Sequence, residues 1–313
     1  MVPVPTMTAT ATTWTIEMLL PIFSRLLIDA DTLVFAAAAV TDRPEYDIRV
    51  MIDGVPGEIL AEYRYKREAN AFIKAKLPTL GEGRSLLLET RQVVEPEEHA
   101  FQIFKRKLLD ILENIPAMFN GYQVYLGASG VPTHRHAVYP QYKSGRPPKP
   151  KHFAATIEYA VKNWSAELVS GMEVDDKVAL EQVATSDVFG QTCIVSIDKD
   201  LNQVPGWHYH PDKGTLSWIS EWEAELTLAM QVLTGDSTDS IPGLPGVGPA
   251  KAKAILKDVE KGDFVALWDT TEAAYEEHGF DAEYFSLMCL LVTMLGRADR
   301  LSWLQEDPDD ELE

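Results

Sequence analysis

Eight carboxylates stand out by their spacing: Asp29; Glu173, Asp175 and Asp176; Asp198 and Asp200; Asp236 and Asp239. All offer oxygen, the donor that hard divalent cations take. Glu173, Asp175 and Asp176 crowd three charges into four positions and repel one another unless a cation or a network compensates. The last pair opens the stretch Gly235 to Leu256, GDSTDSIPGLPGVGPAKAKAIL. Three residues apart, Asp236 and Asp239 would share one side of a helical turn and hold one cation between them. Gly243, Gly246 and Gly248 then form a tight hairpin before a Lys/Ala helix with Lys251, Lys253 and Lys257. A glycine turn ahead of a helix frees backbone N–H groups to face an anion. A carboxylate edge joined to a phosphate cradle points to an enzyme that cuts a phosphodiester. The competing reading is a surface loop turned by Pro242, Pro245 and the glycines.

These side chains need elements to hold them. Arg25 to Ile28 reads as a buried strand that leaves Asp29 at its carboxyl end, where open α/β sheets place their sites. A helix follows over Thr32 to Val40, with Asp31 as its cap. Tyr46 to Tyr63 contains the hairpin signal Asp53-Gly54. Lys66 to Leu77 is a helix and Arg84 to Val94 a strand. Glu97 to Ile115 is an amphipathic helix with Phe101, Phe104, Leu108, Ile111, Leu112 and Ile115 on one face. Tyr122 to Leu126 is a second core strand. Asn114 to Ile157 holds no Asp or Glu but carries Arg135, Lys143, Arg146, Lys149 and Lys151, and its prolines forbid a continuous helix. Further expected elements are a helix over Phe153 to Leu168, a helix over Lys177 to Thr185, a buried strand over Thr192 to Ile197 and a hairpin over Trp207 to Trp218. A helix over Glu221 to Leu233 follows, then packing helices at Phe264 to Trp268 and Tyr284 to Leu295. His208 and His210 are expected to be structural or solvent-facing.

With 313 residues, 46% of them hydrophobic, the chain is long enough for one large domain or two small ones. The formal charge of −20 disfavours nucleic acid as a partner, but the segregation of a basic segment from carboxylate clusters restores it: one part grips phosphates, the other holds cations. No long apolar run is present, so no membrane span is expected. The Thr/Ala/Pro-rich start lacks the basic opening of a signal peptide. Cys193 and Cys289 read as core residues of a reduced cytoplasmic protein.

The block Gly235 to Gly248, with the pattern G-D-x-x-D-x-I-x-G-x-x-G-x-G, resembles the helix-hairpin-helix of the flap endonuclease/5′-exonuclease superfamily, in its bacteriophage branch. The strand–Asp element at Asp29, Tyr142-Lys143-Ser144-Gly145-Arg146 as Y-K-x-x-R, Glu173 to Asp176 as E-x-D-D, and Asp198 to Asp200 as D-x-D occur in the family's order. The resemblance implies a PIN-like, three-layer α/β core of mainly parallel strands over residues 24–218. An insertion at 41–121 and an arch-like segment at 130–157 elaborate it. A helical helix-hairpin-helix subdomain over 219–300 would follow, between a tail at 1–23 and an acidic tail at 301–313. It implies two Mg²⁺ (or Mn²⁺), with Glu173, Asp175 and Asp176 serving the first and Asp198 and Asp200 the second, and K⁺ at the hairpin. Lys143 and Arg146 would reach the scissile phosphate. Arg135, Tyr142, Gly243, Gly246, Gly248, Lys251 and Lys253 would contact DNA. The implied activity is 5′–3′ exonuclease or flap endonuclease action on duplex or flapped DNA, or on RNA–DNA hybrid, by a monomer in phage replication or recombination. The family's Asp after the second core strand is replaced by Ala128. A phosphatase using Asp29 and Asp31, and a non-cutting DNA-structure binder, are the rival readings.

Overall fold

The computed structural model describes residues 21–128, 130–185 and 192–296. The expected tails, apart from residues 21–23, and Ser129 lie outside the described residues. In chain order the elements are β1 (Ile22–Phe23), β2 (Arg25–Asp29), α1 (Asp31–Thr41), β3 (Asp42–Ile52), β4 (Val55–Tyr63), α2 (Lys66–Lys76), β5 (Arg84–Val94), α3 (Glu97–Asn114), β6 (Met118–Phe119), β7 (Tyr122–Gly127), α4 (His134–Val138), α5 (Phe153–Trp164), β8 (Glu167–Val169), α6 (Val174–Ala184), β9 (Thr192–Val195), β10 (Gly206–His210), β11 (Thr215–Ile219), α7 (Glu221–Thr234), α8 (Pro249–Ile255), α9 (Phe264–Glu277) and α10 (Ala282–Val292).

The central sheet has six strands in the order β11-β10-β9-β2-β7-β8, all parallel except β11. Side chains of a strand alternate between faces, and both faces of this sheet are covered, which is why its strands read as continuous apolar runs. Leu26 and Ile28 of β2 join Val124, Leu126, Cys193 and Val195 under α1, α3 and α5. Leu27 joins Tyr125 and Ile194 on the opposite face, under α6. Three layers result, as expected. The buried face of α3 runs through Ala100, Phe104, Leu108 and Ile111, while Phe101 stacks on Tyr159 at 4.7 Å between ring centres.

Several expected boundaries move. Residues 22–23 are not part of a tail: they pair in parallel with Met118 and Phe119. The helix expected to reach Leu168 ends at Trp164, where Ser165 turns left-handed (φ 50°), and the freed residues form β8, the edge strand beside β7. Glu167 and Leu168 are exposed, so β8 lacks the apolar signature that marks the inner strands. The insertion forms its own antiparallel sheet, β4-β3-β5, turning at Asp53-Gly54 with both φ angles positive. One face of it is laced by Glu45–Arg91 and Arg49–Glu89 ion pairs.

The helical part is not detached. A second core of α7, α9 and α10 also takes in Tyr142 from the arch-like segment and Ile241, Leu244 and Val247 from the hairpin. Past α10, Met294 packs beneath α6. The hairpin closes on two glycines: a Cβ on Gly243 (φ 61°) would lie 2.3 Å from Gly235 N. Gly246 (φ 78°) meets nothing within 4 Å. Gly243→Ala is therefore expected to cost at least about 2 kcal/mol in urea unfolding. Gly246→Ala should cost about 1 kcal/mol, the strain of a left-handed residue alone. Equal losses would show that the 235–243 closure does not hold the hairpin.

Candidate active site

The parallel strands β2, β9 and β7 end together, and the end of β2 presents Asp29, only 4% exposed. Asp29 Oδ1 accepts from the Asp31 backbone N (3.1 Å) and Oδ2 from the Ser196 hydroxyl (2.9 Å). Ser196 Oγ also accepts from Asp198 N at 3.0 Å, tying the ends of β2 and β9 to one hydroxyl. Asp198 accepts from Asp200 N at 2.8 Å and opens a short 3₁₀ turn over Lys199–Gln203. A cavity of about 550 Å³ is lined by Asp29, Asp31, Glu173, Asp175, Asp198 and Lys143, among others. A smaller neighbouring cavity brings Asp200, Asp236 and Asp239 beside Asp175. Asp236 and Asp239 do not sit on a helical turn as expected. Asp236 and Ile241 exchange backbone hydrogen bonds (2.9 and 2.8 Å), and the two aspartates flank the resulting loop.

Electrostatically the carboxylates fall into two groups. Burial, then repulsion from Asp31, with Asp198 a smaller contributor, pushes the Asp29 carboxyl up to about 7. Burial, then Asp198 and Asp236, does the same to Asp200. Asp175 is raised well above its usual range by burial and by Asp29, Asp198 and Glu173. These groups face one another with too little positive charge. In the second group, burial also opposes the charge on Glu173, but Lys143 and Arg135 outweigh it and hold the carboxyl low. Asp239 pairs with Arg146 and, at 3.6 Å, with Lys143. Lys143 itself is held left-handed (φ 57°) by its N–H bond to the Asp239 carbonyl (2.9 Å), a strain of about 1–2 kcal/mol.

Five expected roles change. Asp176, predicted as a metal ligand, has both oxygens occupied: Arg135 donates to Oδ2 (2.6 Å) and Oδ1 (2.9 Å), and Leu295 N to Oδ1 (3.0 Å). Arg135, predicted at the DNA surface, is 3% exposed and spends its remaining donors on the Leu291 and Thr293 carbonyls. Tyr142, also predicted to contact DNA, is 4% exposed, with its hydroxyl 2.8 Å from Glu173 and 3.1 Å from Asp239. Gly243 is buried against Gly235, whereas Gly246, Gly248, Lys251 and Lys253 are exposed. Of these glycines near the surface only Gly246 needs its positive φ, because Gly248 caps α8 at φ −98°. Ser196 escapes the sequence reading, although its place between a buried strand and Asp198 is a usable signal. Asp31 does not act as the cap of α1: Ala30 takes that position, and Asp31 Oδ1 accepts from Gly127 N at 2.9 Å. His208 is structural, buried against the Val204 carbonyl at 2.7 Å. Both cysteines are buried and free.

The chain matches no family model. Flap endonuclease Xni of Shewanella oneidensis is 33% identical over 138 residues, 39% of this chain and 52% of that relative. The Shewanella baltica protein of the same name is 31% identical over 136 residues, with the same shares covered. The chain thus spans about half the length of the curated relatives it matches. The crystal structure of the T5 D15 protein, co-crystallized with metal ions, superposes with a TM-score of 0.51 over 92% of this chain and 96% of that one, at 12% identity. That likeness is one of fold. Over the matched part the chain is similar in sequence to proteins named flap endonuclease, and over most of its length it shares the fold of the T5 D15 protein.

Hard oxygen donors gathered with little positive charge among them suit a divalent cation. Asp29, Asp175, Asp198, Asp200 and Asp236 fit it. Glu173 and Asp239 fit only after release from Lys143 and Arg146. Among the described residues no three such side chains stand close enough to share one ion as placed, so loading entails rotation of side chains already at the cavity wall. No helix is long and apolar enough to cross a membrane, among the described residues.

Two outcomes follow from the charge pattern. Arg135→Met strands Asp176 without its partner and should cost about 3–5 kcal/mol in urea unfolding; a loss near zero would return Arg135 to the surface. For Asp29 the folded pKa of about 7 lies above its unfolded value. The folded chain therefore binds more protons over that window, and stability falls as pH rises through it. Asp29→Asn lacks that slope. Its Tm relative to the parent, without divalent metal, should climb from about pH 5 to about pH 8. The comparison cancels His208, which burial lowers to about 4 and which titrates with the opposite sign. A constant difference in Tm would refute the raised pKa.

Proposed function

We propose that this chain is a divalent-metal-dependent, structure-selective DNA nuclease that hydrolyses phosphodiester bonds. The observation that carries the reading is the meeting of Lys143 and Arg146, in the wall of one cavity, with Glu173 of the same wall and Asp239 of the adjoining cavity. Bound Mg²⁺ or Mn²⁺ would supply a water activated at neutral pH and positive charge opposite the leaving oxygen.

The protein's own share follows from the contacts above. Ser196 fixes the orientation of the Asp29 carboxylate and the start of the Asp198 turn. Lys143 and Arg146 rest on Glu173 and Asp239. A phosphate entering the cavity competes for both cations, and each one released turns from neutralising a carboxylate to neutralising the growing phosphoryl charge. The exposed face of Gly246, Gly248, Lys251 and Lys253 suits the backbone of a duplex, which carries no sequence information. Lys251 Nζ donates to the Gly246 carbonyl at 2.7 Å, so the lysine is already aligned with that face. Polarity from the 5′ end, flap or RNA–DNA substrates, and a role in phage replication extend the proposal by the resemblance alone.

Digestion of 5′- and 3′-labelled duplex, flap and RNA–DNA substrates in Mg²⁺ tests it. Cutting that needs metal is expected, and Lys143→Ala should slow it about 10²-fold, roughly 3 kcal/mol, while DNA binding changes little. Equal losses of rate and binding would reduce Lys143 to a DNA contact. Metal-dependent binding with no cutting would favour a non-cutting DNA-structure binder, and release of phosphate from small esters alone would favour a phosphatase.

A further inference from the structure

The cavity wall is uneven in its charge compensation. Glu173, Asp176 and Asp239 each lean on a basic side chain. Asp31 is inward-facing too, yet no ion pair joins it to a cation among the described residues. Lys149, the nearest basic group to influence it, lies instead over the Phe153 ring at 4.4 Å.

Asp31 is also held in place. Its Oδ1 accepts from Gly127 N at 2.9 Å, which pins the carboxylate to the end of β7. A Cβ at Gly127 would come within 3.0 Å of Oδ2, so the missing side chain at 127 is what makes room for this arrangement. The next residue, Ala128, contributes only a methyl group to the cavity. Among the described residues the end of β7 therefore brings no side-chain oxygen of its own, and the carboxylate beside it belongs to Asp31. Oδ2 accepts no hydrogen bond among the described residues and remains available. Asp31 is half-buried, with one backbone N–H and no paired cation, so part of its charge leaves water uncompensated and a cation in the cavity would offset that cost.

On the nuclease reading above, we infer that Asp31 is a donor to the divalent ion shared with Asp29 and Asp175, supplying the carboxylate at the end of β7. The alternative is a strut that only joins α1 to β7. Asp31→Asn separates the two, because an amide oxygen still accepts from Gly127 N while the charge is gone.

The test is Mn²⁺ binding to the nucleic-acid-free full chain, followed by calorimetry and by the electron paramagnetic signal of free Mn²⁺, with Tm recorded in parallel. Asp31→Asn should weaken the affected Mn²⁺ site by about tenfold or more, at least the effect of losing a supporting residue, with Tm unchanged. Adding Ala128→Asp to that variant should restore affinity, since it returns a carboxylate to the same end of the strand. Parent-like Mn²⁺ affinity in Asp31→Asn would overturn the assignment, as would a fall in Tm with affinity intact, and in both cases the nuclease reading would stand. If the parent chain takes up no Mn²⁺, the nuclease reading falls and the assignment with it.

Discussion

The buried guanidinium of Arg135 is the point on which the arrangement of the molecule depends. It comes from α4, in the basic segment. It grips Asp176 on α6, in the α/β core, and donates to the carbonyls of Leu291 and Thr293 at the end of the last helix. Three parts of the chain far apart in sequence thus share one planar ion. A guanidinium suits this because its donors are fixed in a fork and its charge does not leave at any ordinary pH. Burying such a pair is costly in itself, and here one pair registers three elements at once. The position of everything beside it, Tyr142 and Glu173 first, is set by that registration.

Around this fixed ion the remaining charges are left in a tense balance. Lys143 and Arg146 neutralise Glu173 and Asp239. Asp29, Asp175 and Asp200 are not neutralised, and their raised pKa values record it. A protein selected only for stability would replace such groups. Their placement in two adjoining cavities beside the carboxyl ends of parallel strands fits the proposed role of holding a cation.

Much of this was legible in the chain itself. Leu26 to Ile28 and Thr192 to Val195 read as inner strands because both faces of the sheet are covered, so that every position is apolar. Asp29 and Asp198 read as a site because each follows a buried strand of a parallel sheet, and Asp175 because three carboxylates crowd into four positions. The short edge strand β8 was not legible, since Glu167 and Leu168 face solvent and carry no alternation. Arg135, Tyr142 and Asp176 depart from expectation for a common reason: a basic, aromatic or acidic residue type reports charge and donors but not burial, and all three are buried, Arg135 and Asp176 against each other and Tyr142 against Glu173 and Asp239. Asp31 looked like a helix cap because Asp favours that position, and a long-range bond to Gly127, 96 residues away, cannot be read from local spacing.

Asp239 lies in the hairpin loop, yet its carbonyl holds the Lys143 backbone and its carboxylate holds Arg146. The loop that exposes Gly246 and the strap that carries the cations are therefore one mechanical piece, with Tyr142 as its rivet in the helical core. A load placed on the hairpin would be felt at Lys143 without passing through the sheet. On the proposed nuclease reading, leverage of that kind would let the grip on a double helix, some distance from the cut, adjust how tightly the strap's cations are held.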